Sequence, residues 1–170
     1  MAFSASGLYV HTFREILRGT TLTGGAIDLR LATYRIALHS NSLTQGAGIL
    51  NFSSATPNWA NTNEVSGTGW AAGGVLLSAV AAGATSAAPT LDESSTAGNI
   101  RYDMGDVAVS GTTLTNARGC IIYADPVTAP SDMADAMVVA VTFGADYSTN
   151  NGVFGITWNT NGVFEIDLVP

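Results

Sequence analysis

Met137-Val-Val-Ala-Val-Thr-Phe143, Val153-Phe-Gly-Ile-Thr-Trp158 and Val163-Phe-Glu-Ile-Asp-Leu168 are the three runs that decide the fold class. The last two alternate. Phe154, Ile156 and Trp158 fall on one side, as do Phe164, Ile166 and Leu168, while Gly155, Thr157, Glu165 and Asp167 fall on the other. Successive side chains leave a strand on opposite faces, so period two marks a half-buried strand. Asn159-Thr-Asn-Gly162 separates the two runs, and Asn-Gly supplies the positive φ of a tight hairpin turn. Asn151-Gly-Val-Phe-Gly-Ile156 returns ten residues later as Asn161-Gly-Val-Phe-Glu-Ile166. The pattern predicts a meander of three antiparallel strands with one apolar face, which earlier strands or another subunit must cover.

Working back, Gly119-Cys-Ile-Ile-Tyr-Ala124 is apolar throughout and of strand length, as a central strand requires. Thr33 to His39 alternates, with Tyr34, Ile36 and Leu38 inward and Arg35 and His39 outward. Val75–Val80, Ile100–Asp103 and Asp106–Val109 are further strand candidates, and Ser110-Gly-Thr-Thr113 reads as a turn. Near the start, Ser6 is placed to cap a helix running to about Leu17 and stopped by Gly19. Leu8, Tyr9, Thr12, Phe13, Ile16 and Leu17 share one face of it, with His11, Arg14, Glu15 and Arg18 around the rest. Asn41–Asn63, Ala81–Asn99 and Asp125–Asp135 read as loops. Phe52 and Trp59 indicate that the first of them packs down.

One helix, roughly eight strands and no helical crossovers point to an all-β antiparallel sandwich or jelly-roll-like fold. The expected organisation is a helical arm over residues 1–19 and a single β domain over residues 20–170. A chain of 170 residues is long enough for a real core.

Composition narrows the function. Charged residues make up 11% of the chain, against an ordinary share of about 25%. The polar surface therefore rests on Ser, Thr, Asn and Gly, and such a surface costs little to desolvate at a subunit contact. There is no lysine, and six scattered arginines face thirteen acids, for a net charge of −7. Nucleic-acid binding needs clustered cations, so neither nucleic acid nor an anionic membrane is an expected partner. Cys120 stands alone inside an apolar run and reads as a buried free thiol. No secretory leader or membrane span is expected: Arg14-Glu15 breaks the N-terminal apolar segment, and Trp70–Ala84 is too short and glycine-rich.

The chemistry-bearing residues are few. His11 and His39 are the two histidines, and nothing in the spacing sets either beside Cys120 or a serine elbow. Asp92/Glu93, Asp103/Asp106 and Asp132/Asp135 match no calcium-loop spacing and read as solvated surface acids. Gly67-Thr-Gly69 has neither the Lys-Ser/Thr of a phosphate loop nor the third glycine of a dinucleotide fingerprint. No catalytic, metal or cofactor residue is expected, and the chain is not expected to be an enzyme. Trp158 lies on the inward phase, whereas Trp59 and Trp70 lie in loops where they could stack on sugar rings.

Asn63-Glu-Val-Ser-Gly-Thr-Gly-Trp-Ala-Ala-Gly-Gly-Val75, Gly119-Cys-Ile-Ile-Tyr-Ala-Asp125, Val141-Thr-Phe-Gly-Ala-Asp146 and Asn151-Gly-Val-Phe-Gly-Ile-Thr-Trp-Asn159 together resemble small structural proteins of tailed bacteriophages, of the head decoration, minor capsid and tail type. The opening Met1-Ala-Phe-Ser-Ala-Ser-Gly-Leu-Tyr-Val10 is similar to some of them. The resemblance implies a capsid decoration protein, made in the host bacterial cytoplasm. It would bind the outside of the virion shell in many copies, often as a homotrimer, with the major capsid protein as its partner. It implies no catalytic residues. Residues 1–19, then the loops at Asn41–Asn63 and Ala81–Asn99, are the expected docking elements. A tail-associated or glycan-recognising receptor-binding protein is the alternative.

Overall fold

The computed structural model describes residues 2–18, 27–30, 33–77, 89–94, 96–124 and 134–169. Its elements are β1 (Gly7–Leu8), α1 (Val10–Arg18), β2 (Arg35–His39), a 3-10 turn (Gly48–Leu50), β3 (Glu64–Val65), β4 (Val75–Leu76), β5 (Thr90–Glu93), β6 (Asn99–Asp103), β7 (Val107–Tyr123), β8 (Met137–Ile156) and β9 (Phe164–Asp167). The class expected from the sequence holds: antiparallel β-sheets in a sandwich, with one N-terminal helix.

One bent ribbon makes both sheets. β7 and β8 pair antiparallel from Tyr123↔Met137 to Val107↔Ile156, and β6 and β9 carry the same ladder on from Tyr102↔Phe164 to Asn99↔Asp167. Between them the ribbon turns a corner at residues 104–106 and 157–163. Trp158 pins that corner, its backbone N–H donating to Asp106 Oδ1 at 3.0 Å and its indole to the Gly105 carbonyl at 3.2 Å. Gly162 allows it: with φ at +82°, a Cβ there would lie 2.4 Å from the Tyr102 carbonyl oxygen. The larger sheet runs β1-β8-β7-β2-β3, with β4 also on β2, and the smaller runs β5-β6-β9.

The larger sheet is buried on both faces where β2 and β7 cross its centre. Ile36, Leu38, Cys120 and Ile122 enter the main core, which Tyr102, Val107, Phe154 and Ile156 complete. Ala37, Ile121 and Tyr123 face the other way, into a second core closed by Phe3, Tyr9, Leu43, Ile49 and Leu50. Burial on both faces is why Gly119–Ala124 has no polar alternation. The second core also explains the long segment after β2. Leu43, Ile49 and Leu50 are buried, and Met137 N–H donates to the Pro57 carbonyl at 2.7 Å.

The structure corrects several sequence readings. Met137–Phe143 and Val153–Trp158 are not neighbours in a meander; most of both lies in the single strand β8, and β9 belongs to the other sheet. Asn159–Gly162 does turn, with Gly162 N–H donating to the Asn159 carbonyl at 2.8 Å, but the turn sits on the ribbon's corner. Ser110–Thr113 is no turn. Between Val109↔Phe154 and Thr112↔Gly152, two residues of β7, Ser110 and Gly111, oppose one of β8, Val153, and Gly111 adopts a φ of +68°: a bulge inside a long strand. His39 is not outward but fully buried under the segment that follows it. On α1, Leu17 is 84% exposed and Glu15 is buried, the reverse of the expected faces.

Residues 2–18 pack on the β body. Phe3 and Tyr9 are buried in the second core, and Gly7 and Leu8 pair with Ala140 and Val139 of β8. Ser6 does not cap the helix; its hydroxyl accepts the Thr142 N–H at 3.0 Å. Gly19, the link at 20–25, most of the expected loop at 81–99, the end of the Val75–Val80 strand, and Asp132 lie outside the described residues.

Candidate docking surface

Helix α1 is held from its buried side. Tyr9 N–H donates to the Val138 carbonyl at 3.1 Å, its hydroxyl donates to the Ile49 carbonyl, and its ring meets Phe52 edge-on at 5.2 Å. One turn on, the buried Thr12 hydroxyl donates to the Met137 carbonyl at 2.7 Å. Phe13 packs edge-on against Phe164 of β9 at 5.6 Å. These contacts fix the helix's rotation and so decide what it presents outward.

What it presents is apolar. Val10 is 61% and Leu17 84% exposed. Together with Leu8, Phe13 and Ile166 they line a groove of about 580 Å³, rimmed by Arg14 and Arg18. Glu15 lies beneath that rim, bonded to Arg14 at 2.7 Å and to Arg18 at 3.4 Å. The hydrogen bond from Arg14 is the main reason its carboxyl titrates below the usual range. The lining itself holds two arginines and no acid, on a chain of net charge −7. Exposed large apolar side chains on an anchored helix make this face a candidate contact surface.

The other candidates resolve differently. Trp70 is fully buried, edge-on to Phe154 at 5.6 Å, so it cannot stack on a sugar. Trp59 is half-buried and lies flat on Tyr123, centroids 4.5 Å apart and planes within 3°, which uses one of its two faces. Its indole N–H donates to His39 Nε2 at 3.1 Å, and His39 Nδ1 donates to the Thr62 carbonyl at 3.1 Å. Burial holds the His39 pKa down to about 4. With both ring nitrogens engaged, His39 has none to act as a base. Cys120 pairs with Leu38 across β2 and β7, so it leaves the sheet on the face opposite His39. Burial pushes its thiol up to about 12, which removes the thiolate a nucleophile needs.

Of the acid pairs, Asp103 and Asp106 are tied to the backbone. Asp103 Oδ1 accepts the Met104 N–H at 2.9 Å, and Asp106 Oδ1 accepts Trp158's. Among the described residues no group of three or more His, Cys, Asp or Glu side chains is placed to hold a metal ion. No described helix is long and apolar enough to cross a membrane. One feature escaped the sequence reading: Phe143 and Tyr147, edge-on at 6.1 Å, line a hollow of about 450 Å³ along β8, with Tyr147 51% exposed. Its only sequence signal was an aromatic pair, Phe143 and Tyr147, in a stretch otherwise without large apolar groups.

Comparison with protein-family models, curated proteins and solved structures finds no match for this chain.

Proposed function

We propose that this chain is a structural protein of a tailed-bacteriophage virion, a capsid decoration protein that binds the outer shell in many copies and stabilises it without catalysing a reaction. The observation that carries the reading is the rigid, outward apolar face of α1, with Val10 and Leu17 exposed above an anchored Tyr9 and Thr12. A cementing protein stabilises a shell by burying area across subunit junctions, and apolar side chains held in place lose little entropy when covered. The charge-poor surface supports the same reading, because desolvating it costs little. The resemblance of the motifs around Trp70, Cys120 and Trp158 to small structural proteins of tailed bacteriophages, of head and tail alike, supports a virion protein. The partners are then the major capsid protein and further copies of this chain, on the capsid exterior.

Binding to purified shells that lack the protein tests this. Wild type should co-sediment with the shells to saturation. Val10→Ser/Leu17→Ser should fold normally and stay in the supernatant. Equal binding by the variant would remove α1 from the interface, and no binding by wild type would remove the decoration role.

The exposed Tyr147 beside Phe143 favours one second reading, a tail or receptor-binding protein that stacks sugar rings on β8. It predicts glycan binding that is lost in Tyr147→Ala.

A further inference from the structure

The six residues before β3, 58–63, lie on the body as a thin flap. Five of them are exposed, and Trp59 is half-buried. Their backbone is tied at the Trp59 N–H, which donates to the Asp135 carbonyl at 2.7 Å, and at the Asn63 carbonyl, which accepts the Ser40 N–H at 3.0 Å. Their side-chain tie is Trp59 itself, stacked on Tyr123 and bonded to His39. Asn58, Thr62 and Asn63 also form one wall of a hollow of about 480 Å³ that reaches Leu43, Ile49 and Met137. A segment with so few buried contacts opens at a lower free energy than the whole fold.

The tie works in one protonation state. His39 Nε2 accepts the indole proton while Nδ1 donates to the Thr62 carbonyl, so a neutral ring satisfies both partners. A second ring proton sets two donors face to face. Once the flap swings away, the ring meets water and takes that proton freely. The charged and titratable groups around His39 come from every neighbouring element. Glu64 of β3 stands opposite it and accepts the Gly73 N–H at 2.6 Å. Arg35 of β2 donates to the Gly74 carbonyl at 3.3 Å, and Tyr123 of β7 to the Gly73 carbonyl at 2.7 Å. Arg118 reaches Asn41 and Asp146, and Asp135 holds the Trp59 backbone. Of those in contact with the flap or its tie, Glu64 and Asp135 also titrate in acid.

We infer that residues 58–63 are an acid-sensitive flap: the Trp59–His39 bond holds them over Tyr123 at neutral pH, and protonation of His39 releases them while both sheets stay folded. Release uncovers Tyr123 and opens the hollow towards Met137. The direction follows from linkage. In the closed state the ring titrates near 4, and in water near 6.5, so opening grows as pH falls between these values. The flap goes beyond the virion reading and does not rest on it.

Native-state hydrogen exchange of the full chain tests this, with rates corrected for the pH dependence of free amides. The Trp59 and Ser40 amides should be less protected than that of Ile121, in the central strand, at both pH 7 and pH 4.5. Their protection should fall by about tenfold or more between the two. Trp59→Phe keeps an aromatic ring on Tyr123 but has no donor for Nε2. It should raise flap exchange at pH 7 and shrink the acid response, and His39→Gln should abolish that response. Glu64→Gln and Asp135→Asn should retain it. Flap amides that exchange together with Ile121 at both pH values would overturn the proposal, because the flap would then open only when the whole chain unfolds. So would an acid response that survives Trp59→Phe unchanged, or one that disappears in Glu64→Gln or Asp135→Asn.

Discussion

The indole of Trp59 donates a hydrogen bond to Nε2 of His39, 3.1 Å away, inside the second core. The contact fixes the tautomer: Nε2 must accept, so the ring proton sits on Nδ1 and faces the Thr62 carbonyl. A protonated His39 would turn its second N–H against the indole donor inside a fully buried site. The imidazole is thereby held neutral, and the segment from Asn41 to Asn63 is stitched to β2 through it.

That arrangement makes stability depend on pH. The folded pKa of His39, about 4, lies below the 6.5 of the free side chain. Between these values the unfolded chain binds more protons, so stability is complete above pH 6.5 and declines as pH falls towards 4. The group's contribution is on the order of 3 kcal/mol over that window. Glu64 acts in the opposite sense, because burial raises its carboxyl pKa. Urea unfolding at pH 7 and pH 4.5 should show a clear loss for wild type. His39→Gln should flatten the difference; an unchanged slope would mean His39 is not the group responsible.

The N-terminal segment is part of the body rather than an appendage. Thr12→Val leaves the buried Met137 carbonyl without its donor and should cost about 1–2 kcal/mol in urea unfolding. Removing residues 1–18 exposes the second core and the edge of β8 together, so the truncated chain should be largely unfolded or aggregated by circular dichroism and light scattering. A truncated chain with a native spectrum would contradict this placement of Phe3 and Tyr9.

The ribbon's corner can be tested at one glycine. Gly162→Ala places a Cβ against the Tyr102 carbonyl at a φ of +82° and should cost about 3 kcal/mol or more. Gly144→Ala has a similar φ of +76° but open space around it, and should cost only about 1 kcal/mol. Thermal or urea unfolding of the two variants separates close packing from conformational strain. Equal losses would mean that the corner is not tightly packed.

Period-two patterning made the fold class legible, because Phe154 and Ile156 really do alternate with Gly155 and Thr157 across a half-buried strand. The apolar run at Gly119–Ala124 likewise announced a central strand. Connectivity was hidden because a glycine with positive φ serves a bulge as well as a turn: Gly111 and Gly144 lie within strands, whereas Gly162 lies in a true turn. His39 followed the strand's polar phase, but the residues that bury it lie 20 and more positions away, beyond the reach of local pattern. On α1, the helical wheel set Leu17 inward with Phe13. The bonds of Tyr9 and Thr12 rotate the helix so that Glu15 is covered instead, and those partners, Ile49 and Met137, are distant in sequence. The exposed apolar face of α1 is thus a product of tertiary anchoring that periodicity alone does not reveal.

The most direct test of the decoration reading is the stoichiometry of this chain in purified virions, by quantitative mass spectrometry against the major capsid protein. The account predicts many copies in a fixed ratio to the shell subunit, lost when Val10→Ser/Leu17→Ser replaces wild type. A handful of copies per particle, or none, would contradict it.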